Sequence, residues 1–78
     1  MIRITLSRKL GELRWTQAKL AKKTGIRAAT INEYYHELVA YVKLEHLSEI
    51  CRAMECDLSE IMVYIPDEQL DKQQHKQP

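Results

Sequence analysis

One stretch, Thr16–Tyr35, constrains the fold most, because two short helical patterns meet there at a glycine. It reads TQAKLAKKTGIRAATINEYY. The first pattern covers Gln17 to Thr24, and the second covers about residues 27–36. Gly25 lies between them, where a helix often ends in left-handed backbone that glycine adopts without strain. The stretch therefore predicts two helices joined by a tight turn.

Apolar residues give the two helices a common inward side. Leu20 and Ala21 form the inward pair of the first pattern, and Ile31 and Tyr34 have i, i+3 spacing in the second. Ile26 can fill the junction between them. Two helices packed in this way form a helix-turn-helix unit, whose second helix can lie in a DNA major groove.

A set of residues in this stretch resembles the Cro/CI-type (XRE) family of transcriptional regulators. The matching residues are Thr16, Gln17, Leu20, Ala21, Lys23, Thr24, Gly25, Ile26, Thr30 and Ile31. The similarity continues through LEHLSEICRAMECDLSEIM and covers about Ser7 to Met62. The resemblance implies an all-α fold, a lambda-repressor-like bundle of five short helices.

The remaining helices are predicted from caps and apolar spacing. Ser7 is a suitable N-cap for a first helix that ends near Leu13 or Arg14, and close packing would explain Gly11 within it. A fourth helix follows from the apolar stripe Leu44, Leu47, Ile50, Cys51 and Met54, with His46 solvated beside it. Asp57, with Glu60 at the capping-box position, begins a fifth short helix.

The chain ends supply a possible strand pair and a tail. Ile2, Ile4 and Leu6 alternate with polar residues, which indicates a short strand, and residues 62–65 are the best partner for an antiparallel pair. The alternative is that residues 1–6 are extended and unpaired. We expect one domain over residues 1–65, with residues 66–78 as a disordered polar tail.

Charge is distributed unevenly along the chain. Residues 1–36 carry eight basic and two acidic side chains, a net charge of +6, whereas residues 55–78 carry two basic and six acidic ones. A basic half that coincides with the helix-turn-helix predicts a phosphate-binding face, although a solvated surface with chance clustering is the alternative. We expect double-stranded DNA as the partner, bound by a homodimer. Without a signal peptide or a membrane span, the expected location is the cytoplasm.

The outer face of the third helix holds the predicted base contacts. At 100° per residue this face consists of Ala28, Ala29, Asn32, Glu33 and His36. Asn32 can pair with adenine, the two alanines can contact a thymine methyl group, and Glu33 either accepts from cytosine or is simply solvated. Alanines stand where the resembled family often has polar side chains that contact bases. We therefore expect this protein to depend partly on DNA shape and to have relaxed sequence specificity.

Predicted phosphate contacts surround this face. They are Thr16, Gln17, Lys19, Lys22, Lys23, Arg27, Tyr35, Tyr41 and Lys43. Gln17 matches the family residue that contacts phosphate. Trp15 either packs on the core or stacks near a sugar-phosphate. The apolar segment 38–42 either extends the third helix by a turn or packs on the core or a partner.

Other chemistry is not indicated by the residues. Cys51 and Cys56 lack the paired Cys or His spacing of a zinc site, and they are expected to be small buried thiols in a reducing compartment. The chain lacks a nucleophile–base–acid arrangement and a phosphate-cradling glycine loop. We therefore predict no metal, no cofactor and no enzymatic activity.

Two functions fit these observations. The first is a sequence-specific transcriptional regulator, a repressor that occupies an operator. The second is an antitoxin-type interaction module that also binds its own promoter, which the apolar segment 38–42 and the acidic C-terminal third favour.

Overall fold

The computed structural model describes residues 1–66 as a helical bundle with one small sheet. In chain order the elements are β1 (Ile2–Ile4), α1 (Leu6–Leu13), α2 (Gln17–Thr24), α3 (Ala28–Tyr35), α4 (Leu44–Met54), a 3₁₀ helix (Leu58–Glu60) and β2 (Met62–Tyr64). This confirms the predicted helical fold with a terminal strand pair. Most of the tail predicted from residue 66, namely residues 67–78, lies outside the described residues.

A single apolar core joins the four helices. Its buried side chains are Leu6, Leu10, Leu20, Ile26, Ile31, Tyr34, Ile50, Met54 and Ile61. Every α-helix contributes at least one of them, and Ile26 enters from the turn between α2 and α3. Each side chain of this size contributes roughly 1.5–3 kcal/mol on burial. The core therefore fixes how the helices lie against one another.

Helix α1 begins two residues earlier than the Ser7 cap predicts, because its N-cap is Thr5. Thr5 occupies the N-cap position, but its side chain makes no capping hydrogen bond. Leu6 is only 1% exposed, so it belongs to the helix and the core rather than to the alternating strand. Burial of a whole leucine side chain contributes more than a serine cap of about 1 kcal/mol, and this explains the earlier start.

The helix-turn-helix follows the predicted caps. The Thr16 hydroxyl accepts a hydrogen bond from the Lys19 backbone N–H at 3.0 Å and so caps α2. Gly25 ends that helix with a φ of 77°, and its N–H donates to the Ala21 carbonyl at 2.9 Å. The Thr24 hydroxyl donates to Leu20 O at 2.8 Å and accepts from the Ile26 N–H at 3.2 Å. These local bonds determine the direction in which the chain enters α3.

The two strands pair antiparallel, as the alternation of residues 1–6 predicts. The register places Ile2 opposite Tyr64 and Ile4 opposite Met62. At one end Met1 exchanges two hydrogen bonds with Ile65, of 2.9 and 2.7 Å. The sheet therefore joins the start of the chain to the last residues that the structure describes.

The C-terminal helical region differs from the prediction at two places. Leu44 begins α4 but is 80% exposed, so it lies off the buried stripe. The fifth helix is a single 3₁₀ turn, whose Glu60 carboxylate accepts from the Asp57 backbone N–H at 2.9 Å as a capping box requires. Ile61 and β2 follow directly, so the chain must straighten before a full α-helix can form.

His46 is not solvated as predicted, because it contacts Tyr34 of α3. Its Nδ1 atom lies 2.7 Å from the hydroxyl of Tyr34, and the two rings meet edge to face with centroids 5.6 Å apart. Tyr34 is only 3% exposed, so its hydroxyl needs a hydrogen-bond partner. The pair thereby anchors α3 against α4.

An ion pair closes the opposite end of α3. Helix α3 does not continue into segment 38–42, because Glu37 adopts a left-handed φ of 57° and turns the chain. Its carboxylate oxygens each lie 2.8 Å from a guanidinium nitrogen of Arg3, and one also accepts from the Ile4 backbone N–H at 3.1 Å. We call this set of contacts, among Glu37, Arg3 and Ile4, the Glu37 latch. These hydrogen bonds hold the pKa of Glu37 down to about 2.

Gly11 is not explained by close packing. A Cβ atom at this position would meet no atom within 4 Å, and the residue is exposed on α1. The glycine therefore costs the helix backbone entropy without a compensating contact.

Replacing Gly11 should stabilise the protein. We expect Gly11→Ala to raise the free energy of unfolding by roughly 0.5–1 kcal/mol, because alanine loses less backbone entropy in a helix. Urea denaturation followed by circular dichroism measures this change. The matched control is Gly25→Ala, which should lower the free energy of unfolding by about 1 kcal/mol because alanine resists positive φ. A loss of stability in Gly11→Ala would show that a side chain is not tolerated on this face of α1.

The Glu37 latch should make stability depend on acid pH. The pKa of Glu37 falls from 4.5 to about 2, so its stabilising effect is complete above pH 4.5 and disappears as the pH falls toward 2. We expect Glu37→Gln to melt at a lower temperature than the unmodified protein at pH 7. The difference should shrink steadily between pH 4.5 and pH 2. A difference independent of pH would show that the ion pair does not contribute.

Candidate nucleic-acid interface

The outer face of α3 is open to solvent along its length. All five predicted base-contacting residues are exposed, namely Ala28, Ala29, Asn32, Glu33 and His36. On the opposite side Ile31 has no exposed surface and Tyr34 has 3%. The helix therefore presents one complete face, and its orientation is set by the buried side.

Polar groups on this face are not engaged within the folded domain. The side chains of Asn32 and Glu33 make no hydrogen bond or ion pair with any of residues 1–66. The ring of His36 contacts Tyr35 edge to face, with centroids 4.9 Å apart. Ala28 and Ala29 form the start of α3, so the N-terminal end of its outer face carries only short side chains. The polar side chains of this face follow toward the C-terminal end.

Unpaired positive charge is concentrated around the helix-turn-helix. Of the eight basic residues before residue 37, Arg3, Arg8 and Lys9 form ion pairs with carboxylates. The other five have no carboxylate within 4.0 Å among residues 1–66; they are Arg14, Lys19, Lys22, Lys23 and Arg27. The net charge of the sequence therefore understates how much free positive charge surrounds α2.

Trp15 makes cation–π contacts with two of these lysines. The Lys19 ammonium lies 4.7 Å from the centroid of the indole ring, and that of Lys23 lies 5.5 Å from it. Trp15 is half-buried and packs against the core, as the packing alternative predicts. The i, i+4, i+8 spacing of these residues is visible in the sequence and indicates this stacking. Each contact holds a lysine in place by roughly 0.5–1 kcal/mol without neutralising its charge.

Arg27 and Lys43 both line a cleft rather than the outer face of α3. The cleft lies between the α2–α3 turn and the start of α4, and it also contains Glu45, His46 and Glu49. Arg27 occupies the N-cap position of α3, where a guanidinium cannot accept a capping bond, and its side chain makes no hydrogen bond or ion pair with any of residues 1–66. The two carboxylates reduce the net positive charge of this cleft.

The remaining predicted phosphate contacts differ in accessibility. Tyr41 is 90% exposed, whereas Tyr35 is half-buried against the core. Thr16 is exposed and Gln17 is half-buried at the first position of α2. Thr16 and Gln17 therefore lie together at the N-terminal end of α2, whose backbone N–H groups favour anions.

Three contributors to this region were missed in the sequence. Arg14, with its left-handed φ of 59°, follows α1 as an exposed and unpaired cation, and its charge alone made it a candidate. The Tyr34–His46 bond and the Glu37 latch join residues 12 and 34 positions apart. No local pattern indicates such pairs, because they depend on the tertiary fold.

The cysteines are part of the packing around α4. Cys51 and Cys56 are both half-buried free thiols, and burial raises the pKa of Cys56 to about 11. Such a thiol stays protonated and unreactive at neutral pH. Within residues 1–66 no three His, Cys, Asp or Glu side chains are grouped as metal ligands would be. The described helices are also too short and too polar to cross a membrane.

Comparison with models of protein families agrees with this geometry. No match was found among curated proteins or among solved structures. The Cro/C1-type HTH DNA-binding domain matches residues 5–67, which is most of the 78-residue chain. That range contains α1 to α4, the 3₁₀ helix and β2. Because this family match covers most of the chain and agrees with an exposed α3 beside unpaired cations, the chain belongs to the Cro/C1-type helix-turn-helix DNA-binding domain family.

Proposed function

We propose that this protein is a sequence-specific transcriptional repressor that binds an operator as a homodimer in the cytoplasm. Helix α3 enters the major groove with Ala28, Ala29, Asn32, Glu33 and His36 toward the base edges. The observation that carries this proposal is the exposed outer face of α3, whose opposite side is buried through Ile31 and Tyr34.

Base readout rests on few side chains. Asn32 is the strongest reader, because its amide can donate to N7 and accept from N6 of adenine in one bidentate pair. Ala28 and Ala29 permit a close approach and can contact a thymine methyl group. Glu33 accepts from a cytosine amino group where the sequence allows it. With so few long polar readers, DNA shape supplies part of the specificity.

Phosphate contacts supply most of the affinity. Thr16 and Gln17 place the N-terminal end of α2 against one phosphate, whose charge the helix dipole favours. The other predicted cationic and aromatic contacts precede α3 in the chain, stand at its last residue or follow it; they are Lys19, Lys22, Lys23, Arg27, Tyr35, Tyr41 and Lys43. Since each bound phosphate releases counterions, affinity falls steeply with added salt.

Repression follows from occupancy alone. A domain bound in the major groove at a promoter excludes polymerase from the same duplex without further contacts. Two copies on half-sites one helical turn apart would read an inverted repeat, which is the arrangement that two-fold symmetry imposes.

An antitoxin-type module is the second candidate function. The loop after α3 exposes Leu38 by 70% and Tyr41 by 90%, and Leu44 at the start of α4 is 80% exposed. Large exposed apolar groups that lie near one another often mark protein-binding sites. In this case the protein would hold a toxin through the loop and bind its own promoter through α3.

Selection of bound duplexes from a random pool tests the main proposal. We expect an enriched inverted repeat whose half-sites contain an adenine that depends on Asn32. Failure to enrich any sequence, although the protein binds duplex DNA at low salt, would reduce the function to non-specific binding.

Removing the amide of Asn32 should separate specific from general affinity. We expect Asn32→Ala to weaken binding to the selected site by about 10- to 100-fold, because a bidentate base contact is lost. Binding to random duplex should change little. Ser59→Ala, an exposed substitution on the 3₁₀ helix, is the control and should change neither. Equal losses on both duplexes would remove Asn32 from base readout.

Removing a free cation should act on all sequences alike. We expect Lys22→Ala to lower affinity for both duplexes and to reduce the slope of log K against log salt by about 1 per subunit. Arg8→Ala removes the same charge from an exposed residue already paired with Glu12, and it should have a smaller effect. Fluorescence anisotropy at several salt concentrations measures both. Identical slopes for the two variants would contradict a special role of α2.

The second candidate has its own test. If a toxin gene adjoins this one, Tyr41→Ala and Leu38→Ala should abolish neutralisation of its product, because both side chains are largely exposed. Operator affinity of Leu38→Ala should be unchanged. Full neutralisation by both variants would exclude the loop as the toxin-binding surface.

A further inference from the structure

Within residues 1–66, three residues other than glycine adopt left-handed backbone, each at or just past the end of a helix. Arg14 ends α1 with a φ of 59°, Glu37 follows α3 with a φ of 57°, and Glu55 ends α4 with a φ of 52°. In this conformation the Cβ atom crowds the carbonyl oxygen that follows it, so glycine would be less strained at each position. The side chains at these positions therefore carry a cost that glycine would avoid.

The backbone around Arg14 is held by two hydrogen bonds that do not involve its side chain. The Arg14 N–H donates to Gly11 O at 3.2 Å, and the Trp15 N–H donates to Leu10 O at 2.9 Å. Together these bonds form a Schellman motif, in which the residue at the position of Arg14 is left-handed. Trp15 packs against the core and holds the turn from its other end. The fold therefore determines where the Arg14 side chain leaves the backbone.

The Arg14 side chain has no partner within the described part of the chain. It is exposed, and it makes no hydrogen bond, ion pair or cation–π contact with any of residues 1–66. Glu37, by contrast, offsets its strain through the Glu37 latch. Glu55 also lacks a side-chain partner among these residues, so unusual backbone alone does not indicate a function. Position and charge distinguish Arg14 from Glu55.

Arg14 stands beside the predicted phosphate contacts at the start of α2. Thr16 follows it by two residues, and two residues of chain span at most about 7 Å between Cα atoms. The Thr16 hydroxyl caps the Lys19 N–H, whereas the N–H groups of Gln17 and Ala18 have no acceptor among residues 1–66. A phosphate that contacts Thr16 and Gln17 is therefore close to the Arg14 turn.

We propose that Arg14 is a further phosphate-binding residue, which the turn after α1 places beside the phosphate contacted by Thr16 and Gln17. The inference rests on the DNA binding of the proposed function and adds a contact from outside the helix-turn-helix. The planar guanidinium can donate two parallel hydrogen bonds to one phosphate, so the contact is directional as well as charged.

The nearby lysines do not provide an equivalent contact. The ammonium groups of Lys19 and Lys23 lie 4.7 and 5.5 Å from the centroid of the Trp15 ring. An ammonium is a compact point charge and cannot form the bidentate pair of a guanidinium. Arg14 is oriented by the backbone of its turn instead of by the ring, so its donors are free for a ligand.

A purely structural role for Arg14 is the alternative. A positive charge at the C-terminal end of α1 interacts favourably with the helix dipole. Glu55 occupies the corresponding position of α4 with the opposite charge, so a cation is not required at such a helix end. The two roles predict different results when the side chain is removed, because only phosphate binding involves DNA.

The substitution Arg14→Gly in the full chain separates these roles, since glycine tolerates left-handed backbone and removes only the side chain. On random duplex, measured by fluorescence anisotropy, we expect the slope of log K against log salt to decrease by about 0.9 per subunit, the value for one phosphate contact. Affinity at low salt should fall about tenfold, as the loss of one charge-assisted hydrogen bond implies. The melting temperature should not fall, because glycine relieves the strain.

Two further variants control for backbone and charge. Glu55→Gly makes the same backbone change at the end of α4 and should not reduce the salt slope. Arg14→Lys keeps the charge, so it should retain most of the slope while losing affinity with the bidentate pair.

The outcomes distinguish this inference from the proposed function. An unchanged slope in Arg14→Gly would overturn the phosphate contact while leaving DNA binding intact. A lower melting temperature with unchanged affinity would assign Arg14 to the stability of α1 and also overturn it. Equal slope losses in Arg14→Gly and Glu55→Gly would attribute the effect to the backbone, with the same consequence. If the unmodified protein binds no duplex at low salt, the proposed function fails and this inference fails with it.

Discussion

The packing of α2 against α3 is the contact on which the rest of this structure depends. Leu20 and Ile31 have no exposed surface, and the Gly25 turn brings their helices together. With Ile31 fixed inward, the opposite face of α3 must point to solvent, since the helix has one residue every 100°. The exposed outer face of α3 is therefore a consequence of core packing, and the side chains of Asn32 and Glu33 on it make no hydrogen bond or ion pair with residues 1–66.

Helix α3 is held at positions that leave its outer face free. Tyr34 reaches His46 on α4, and Glu37, just past the helix end, reaches Arg3 and Ile4 on β1. Both attachments use polar bonds of defined direction, so they restrict rotation of α3 about its axis. Such restraint suits the base contacts in the proposed function, because each misplaced contact loses affinity.

The basic residues before residue 37 divide into those that form ion pairs and those that do not. Arg3, Arg8 and Lys9 are engaged by carboxylates and stabilise the domain, whereas the cations of α2 remain unpaired. Lys19 and Lys23 rest on Trp15, which orders them while preserving their charge. The positive potential available to a polyanion is thus placed beside α3 and kept away from the sheet.

Features that depend on near neighbours could be predicted from the sequence. The Thr16 cap, the Gly25 turn, the inward pair Ile31 and Tyr34 and the exposed face through Asn32 all follow from residues within a few positions of one another. Alternation of residues 1–6 also predicted the strand pair correctly, because only one other segment had suitable composition.

Features that depend on distant residues emerged only in the folded chain. Leu6 joined the core rather than the strand, Leu44 was left exposed, and His46 became the partner of a buried hydroxyl. Of the two alternatives for segment 38–42, the longer helix is excluded, since Glu37 turns the chain and pairs with a residue 34 positions away, whereas Val39 packs against the core. Local periodicity cannot record such contacts, since their partners meet only after the chain has folded.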